Sequence, residues 1–190
     1  MKQENHLQKA IDANIRYDGR ERETFRPIEI TYGVSSTAEG SAKVKIGDTE
    51  VIAGVKLEVG TPYPDMPKSG NLMVDVQLLP LSSEKFEQGP PSIDAIEIAR
   101  VTDRGIRESK CVDMEELCIV EGEKVWVVSV DISTINVDGN LFDAVSLAAM
   151  AALKNTVFPK IEKDGSVNFK EKSKKSLPLQ KVPIVVTVYR

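Results

Sequence analysis

Three arginines carry the sharpest chemical pattern in the sequence. Arg100, Arg104 and Arg107 recur at i, i+4 and i+7 within the segment Ile93–Ser109. A helix there would stack them about one turn apart on one face. Guanidiniums so placed can each take a phosphate bidentately, which suits a polyanion backbone. Glu97, Asp103 and Glu108 lie among them, and a mixed-charge helix face is also what plain solvation produces, so spacing alone leaves both readings open. Other chemistries lack their parts. His6 is the only histidine, which removes the imidazole that Ser-His-Asp and Cys-His sites need and most of the ligands of a zinc centre. No GxGxxG and no GxxxxGK(S/T) occurs, so dinucleotide and P-loop sites lack their phosphate cradle. Asp113, Glu115, Glu116 and Glu121 form an acidic stretch that could hold a metal ion. It reads better as an acidic surface loop, and we assign no metal and no cofactor.

The elements that must position the arginines follow from patterning. Ser92 is a good cap for a helix from Ile93 to about Ser109, with Ala95, Ile98, Ala99, Thr102 and Ile106 as its apolar stripe. The segment Lys124–Leu153 is the organising centre. Val125, Trp126, Val127, Val128, Val130 and Ile132 mark a strand apolar enough to expect burial on both faces. Asp138-Gly139 supplies a turn, and Asn140 is placed to cap a helix carrying Leu141, Ala144, Val145, Ala148, Ala151 and Ala152 at helical spacing, with Asp143 at its third position. The alanine face lets that helix lie very close to its neighbour.

Around this centre, Gln3–Ile15 is expected as a short amphipathic helix, with Leu7, Ala10 and Ile11 as its stripe, followed by the turn Arg16-Tyr17-Asp18-Gly19-Arg20. Ile28–Leu57 reads as an antiparallel meander with a two-residue turn at Gly47-Asp48. Glu58–Gly70, with three prolines, is an exposed loop, either a contact surface or a bend. Asn71–Leu81 reads as a strand and Ser82–Pro91 as a polar connection. Lys160–Lys181 holds seven lysines and reads as a solvated excursion with a short strand near Val167–Phe169, and Val182–Tyr189 as a further strand. An apolar strand at that place would leave an unpaired edge and implies a fold that continues beyond Arg190.

Bulk properties set the class. The chain has 190 residues, 41% apolar and 28% charged, with a formal net charge of −4. This is an ordinary globular balance, so any nucleic-acid site must be a local patch. No run approaches the ~18 apolar residues of a membrane span, and the polar start MKQENHLQKA has no signal-peptide core. Cys111 and Cys118 are simplest as reduced thiols, which points to a cytoplasmic protein.

Taken together, Arg16–Arg20 (RYDGR), the helix IEIARVTDRGIRES and the segment VDISTINVDGNLFDAVSLAAMAAL resemble the RNase PH family, and more narrowly the branch of non-catalytic ring subunits of the archaeal exosome. The resemblance covers about Asn5 to Arg190. It implies an α+β fold like domain 2 of ribosomal protein S5, a mixed sheet packed with helices. It also implies one RNase PH-like domain over 1–190 with its C-terminal part missing, including an N-terminal helix and DGR turn over 1–20 and a lysine-rich excursion over 160–181. The partners it implies are a catalytic RNase PH-type paralogue in a hexameric ring built as a trimer of heterodimers, cap subunits with S1 and KH domains, and single-stranded RNA, with no membrane. Such a ring degrades RNA from the 3′ end, with inorganic phosphate as nucleophile.

The DGNLxDA form of Asp138–Ala144 is similar to the non-catalytic branch, and the Gly60–Gly70 loop keeps a single cation, Lys68, where catalytic members carry arginines. Arg100 and Arg104 match positions that in similar subunits hold the RNA 3′ end at the subunit interface. Arg107 shares their face. The RNA-binding set is therefore Arg100, Arg104, Arg107 and Lys68, with no catalytic residue. The phosphate-binding motif and catalytic aspartates are expected in the paralogue. The alternative is that the chain is itself a phosphorolytic exoribonuclease of this type.

Overall fold

The hairpin turn at Gly47-Asp48 starts the architecture. Gly47 adopts φ +59°, a conformation glycine takes without strain, and it joins strands β2 (Gly40–Ile46) and β3 (Thr49–Gly60) in the register Ile46↔Thr49. The computed structural model describes residues 6, 8–10, 12–16, 18–21, 23–161 and 167–188. Strand β1 (Ile28–Tyr32) pairs antiparallel with β2, completing the expected meander. Strand β4 spans Asn71–Gln77, β5 Cys118–Val120 and β6 Lys124–Asn136. They give a mixed sheet of order β1-β2-β3-β6-β4, with β5 also on β6. The β4–β6 pair is parallel and the others antiparallel. Helix α1 (Ile93–Glu108) joins β4 toward β6, and α2 (Leu141–Asn155) follows β6. Strands β7 (Val157–Ile161) and β8 (Val167–Ser176) form a separate two-stranded sheet.

Both helices cover one face of the large sheet. Ala42, Val44, Val51, Ala53, Val55, Leu57, Val128, Val130 and Ile132 point into the core, against Ala144, Val145, Ala148, Ala149 and Ala152 of α2. Burying one such aliphatic side chain contributes about 1.5–3 kcal/mol. Small residues set the spacing. A Cβ on Gly40 would stand 2.2 Å from Thr156 Oγ1 and 2.6 Å from the Ala152 carbonyl oxygen, so β2 and the end of α2 touch backbone to backbone.

Several expectations shift. Beyond Val125, which is fully buried, β6 is buried on one face only. Val128, Val130, Ile132 and Thr134 are buried, while Val127, Ser129 and Ser133 are half-exposed and Asp131 exposed, because no helix covers the second face. Asn140 occupies the cap position of α2 but lies in the left-handed region, φ 54°, and its side chain makes no capping bond. The turn before it is instead pinned from outside. Thr49 Oγ1 donates to the Gly139 carbonyl at 2.7 Å and accepts from the Asp138 N–H at 2.9 Å, and the Arg26 guanidinium donates to the Gly139 carbonyl at 3.0 Å.

Strand boundaries also move. Glu58–Gly60, assigned to a loop, belong to β3, where they pair with Val125–Val127 of β6. β4 stops at Gln77 rather than Leu81. The Leu79 N–H goes to Thr134 Oγ1 at 3.1 Å, and Pro80 has none to give. The acidic connection contains β5. The lysine-rich excursion holds β8, ten residues long, rather than a short strand. The strand expected at Val182–Tyr189 makes no sheet pairing within the described residues 182–188, which have no described strand alongside. Val182, Ile184, Val186 and Val188 are exposed, and the Thr187 hydroxyl donates to the Asp143 carboxylate at 2.8 Å. In the N-terminal segment, residues 8–10 and 12 are helical, while Leu7, Ile11 and Tyr17 lie outside the described residues.

The close approach at Gly40 makes a direct prediction. Gly40→Ala should lower unfolding free energy by about 1–3 kcal/mol in urea titration. Gly54→Ala, whose new Cβ would meet only Ala38 at 3.8 Å, should change it by under ~0.5 kcal/mol. Equal effects of the two substitutions would show that the backbone approach at Gly40 does not set the helix height.

Candidate nucleic-acid interface

Helix α1 is oriented by its ends and its buried stripe. Ser92 Oγ accepts from the Ala95 N–H at 3.2 Å, and Ala95, Ile98, Thr102 and Ile106 are buried. The hydroxyls of Thr102 and Ser146 meet at 3.3 Å between the helices. The C-terminal end closes with two bonds, Lys110 N–H to the Arg107 carbonyl at 3.0 Å and Cys111 N–H to the Ile106 carbonyl at 3.5 Å. This is the Schellman pattern, in which glycine usually takes the left-handed position. Here Lys110 takes it, at φ 51°, a conformation costing a non-glycine residue roughly 1–2 kcal/mol.

With the stripe inward, Arg100 and Arg104 face solvent. They line an open cleft of about 440 Å³ between α1 and the edge strand β4, opposite Val74 and Asp75. Among the described residues neither guanidinium has an ion-pair partner. Arg107 differs. Its Nε donates to the Asp103 carboxylate at 2.7 and 3.0 Å, and its Nη2 donates to the Leu72 carbonyl of β4. Two of its donors are therefore spent fastening α1 to the sheet edge. Lys68 stands apart from the first cleft. It lines a second one, of about 680 Å³, together with Arg107 and Lys110, and its ammonium lies 3.4 Å from the Glu121 carboxylate, both side chains exposed. The arrangement thus joins Arg100 and Arg104 as a pair able to take anionic oxygens, with Arg107 between the two clefts and Lys68 in the second.

Acidic neighbours temper the field of the first cleft. Asp75 and Asp131 stand opposite each other in the parallel β4–β6 register. Partial burial raises the Asp131 carboxyl above its ordinary value, and the negative charges of Asp75 and then Glu58 add to the effect. At the chain's other end, hydrogen bonds from Arg20 hold the Asp18 carboxyl below the usual range. No group of three or more His, Cys, Asp or Glu side chains placed to hold a metal occurs among the described residues, so the acidic stretch at Asp113–Glu121 gathers no such group there. Sequence reasoning passed over Asp75 and Lys110. An alternating strand gives no sign that its Asp faces a cleft, and a lysine gives no sign of a left-handed backbone.

This geometry can be set beside known proteins. The sequence profile described as 3′ exoribonuclease family, domain 1, RNase PH, matches residues 24–159. The chain belongs to the RNase PH family. It is 52% identical over 180 residues to the exosome complex component Rrp42 of Methanopyrus kandleri, covering 94% of this chain and 67% of that protein. It is 51% identical over 174 residues to the Rrp42 of Archaeoglobus fulgidus, covering 92% and 65%. A solved structure described as the Archaeoglobus fulgidus exosome with RNA bound to the active site superposes with TM-score 0.86 at 48% identity, covering 95% of this chain and 68% of that one. An archaeal exosome core gives 0.79 at 44%, covering 95% and 66%. The chain therefore spans about two thirds of the length of these relatives. The expected α+β RNase PH fold, a mixed sheet packed with helices, is the observed one, and no described helix is long and apolar enough to cross a membrane.

Two predictions arise here. Arg107→Ala should cost about 1 kcal/mol of stability, since it removes a charge-assisted bond to a backbone carbonyl and a partly exposed ion pair. Arg100→Ala and Arg104→Ala should cost under ~0.5 kcal/mol. Equal losses in chemical denaturation would contradict the division of labour. For Asp131 the sign is fixed by linkage. A carboxyl whose folded pKa is raised binds its proton more tightly in the folded state. Its contribution is most favourable below the unfolded pKa and is lost as pH rises through the folded one. Asp131→Asn should therefore be at least as stable as the parent at neutral pH and lack that component of the pH profile. A lower neutral-pH stability than the parent would refute this.

Proposed function

We propose that the chain is a structural, RNA-binding subunit of an exosome ring of the archaeal type, acting in the cytoplasm and carrying no active site of its own. The observation that carries the reading is the pair Arg100 and Arg104, exposed side by side on α1 without ion-pair partners among the described residues, in a chain about half identical to Rrp42 exosome components over nine tenths of its length. Three copies would alternate with three of a catalytic RNase PH-type paralogue, under a cap of S1- and KH-domain subunits, with single-stranded RNA as the substrate of the assembly.

In that assembly the chain's residues position rather than react. Arg100 and Arg104 neutralise phosphates near the RNA 3′ end and hold the last nucleotides in register, which converts the attack of phosphate into a reaction of a pre-oriented pair. The paralogue's site then carries the chemistry. An oxygen of inorganic phosphate bonds to the terminal phosphorus, the bond to the preceding 3′ oxygen breaks and that oxygen takes a proton, releasing a nucleoside diphosphate. Contacts to phosphate carry no base information, so the grip is sequence-independent and falls steeply with salt. The DGNLFDA form of Asp138–Ala144 supports placement on the non-catalytic side.

The test is nucleoside diphosphate release from single-stranded RNA in phosphate buffer. The chain, extended to the length of its relatives, should be silent alone and should give activity when mixed with the paralogue. Arg100→Glu with Arg104→Glu should raise the KM of the mixture by at least about tenfold, the ~1.4 kcal/mol of one charged contact or more. Phosphate-dependent release by the chain alone would overturn the reading in favour of an enzyme in its own right.

A further inference from the structure

We propose that the second cleft, at the C-terminal end of α1, is a further nucleotide-binding subsite, taking single-stranded RNA upstream of the part held by Arg100 and Arg104. The inference rests on the RNA reading above and extends it. The second cleft, at about 680 Å³, is larger than the first, and its lining includes the apolar Leu72, Ile106, Val112 and Met114, the first three of them buried. Its rim carries Lys68, Arg107 and Lys110. Apolar side chains and cations lining one cleft suit a nucleotide, whose base offers an apolar face and whose phosphate needs a positive partner.

Continuity with the first cleft selects the occupant. Arg104 lines the first cleft and Arg107, less than one turn on, lines the second. From Arg104 to Lys110 the helix and its cap advance about 9 Å, so these cations lie within one short stretch at the end of α1. Lys68 is paired with Glu121 and Arg107 with Asp103, so the open cation of this cleft is Lys110. Asp113 is engaged by the Gln180 side-chain amide at 2.8 Å and by the N–H groups of Glu115 and Glu116, so of the two acids lining the cleft only Glu115 stands without such bonds. Lys110 has no ion-pair partner among the described residues. It also occupies the left-handed cap position that glycine would fill without strain. A lysine there also complements the helix dipole, but that role has no consequence for RNA, and the experiment below reads RNA.

The probe is a pair of 5′-fluorescein oligoadenylates, one of about four and one of about ten nucleotides, spanning the range of single-strand site sizes. Each is titrated into the assembled ring without phosphate, over a series of salt concentrations. Lys110→Gly, which suits the local backbone, should weaken binding of the long RNA and reduce its salt slope by about 0.7, the share of one neutralised phosphate on a single strand. The short RNA should be unaffected. Lys68→Gln, away from the helix end, should act in the same direction. Arg100→Glu with Arg104→Glu should weaken both RNAs. If the arginine reversal weakens both while the lysine variants leave the long RNA unchanged, the subsite is overturned and the first reading stands. If the lysine variants weaken both lengths equally, the effect is a general field and the subsite is again overturned. If the arginine reversal changes neither length, the RNA reading itself fails, and the subsite with it.

Discussion

Everything in this fold depends on how closely α2 lies on the sheet. Gly40 leaves no room for a Cβ against Thr156 and the Ala152 carbonyl, and the inward residues of α2 include Ala144, Ala148, Ala149 and Ala152. That contact brings the helix low over β2 and β3. It places Ser146 where its hydroxyl meets Thr102 of α1, so the second helix is registered against the first. α1 is in turn locked to the sheet edge by Arg107 and the Leu72 carbonyl. The exposed arginines owe their direction to this chain of contacts, and a helix standing higher over the sheet would turn them away from β4.

The charges on α1 divide by depth. Arg107 is nearest the sheet edge and spends two of its donors there, whereas Arg100 and Arg104 are left with their donors open. A surface ion pair adds little stability, so leaving two guanidiniums unpaired costs the fold little. It preserves five donors on each for an incoming anion. The chain as a whole is acidic, with net charge −4, so attraction for a polyanion must come from a local patch, as proposed for this face. With a Debye length of ~8 Å at physiological salt, distant carboxylates count for little beside those lining the cleft. Asp75 is one, and its negative charge is among those raising Asp131, so this edge of the sheet is already short of positive charge.

Much of this was legible in the sequence because periodicity reports it directly. The meander, the Gly47-Asp48 turn, the Ser92 cap, the stripe of α1 and the alanine face of α2 all come from local rules that the tertiary structure respects. What was not legible came from groups distant in sequence. Thr49 and Arg26 hold the turn at Asp138-Gly139 from some ninety residues and more away, which frees Asn140 from capping and lets it go left-handed. Thr134 ends β4 by taking the Leu79 N–H. The apolar run of β6 suggested burial on both faces, but beyond Val125 no described helix covers its outer face, and Asp131 there was the residue that disagreed. At Val182–Tyr189 composition favoured a strand, yet a strand needs a neighbour, and composition cannot supply one.

The arginine row shows why spacing is a weak guide to function and a good guide to geometry. The i, i+4, i+7 pattern correctly put three guanidiniums on one face. It could not say that the last would be bonded to a backbone carbonyl of β4, because that depends on where the sheet edge lies relative to the helix end. The same edge decides what the face can do. β4 is the last strand of the sheet, so the groove between it and α1 is open along its length and walled by only one helix. An open groove can hold an extended chain but cannot enclose a small substrate and exclude water from it. On the proposed function, such a surface guides a polymer and leaves the chemistry to a site completed elsewhere, with the two open arginines facing the polymer and the third fastening the helix.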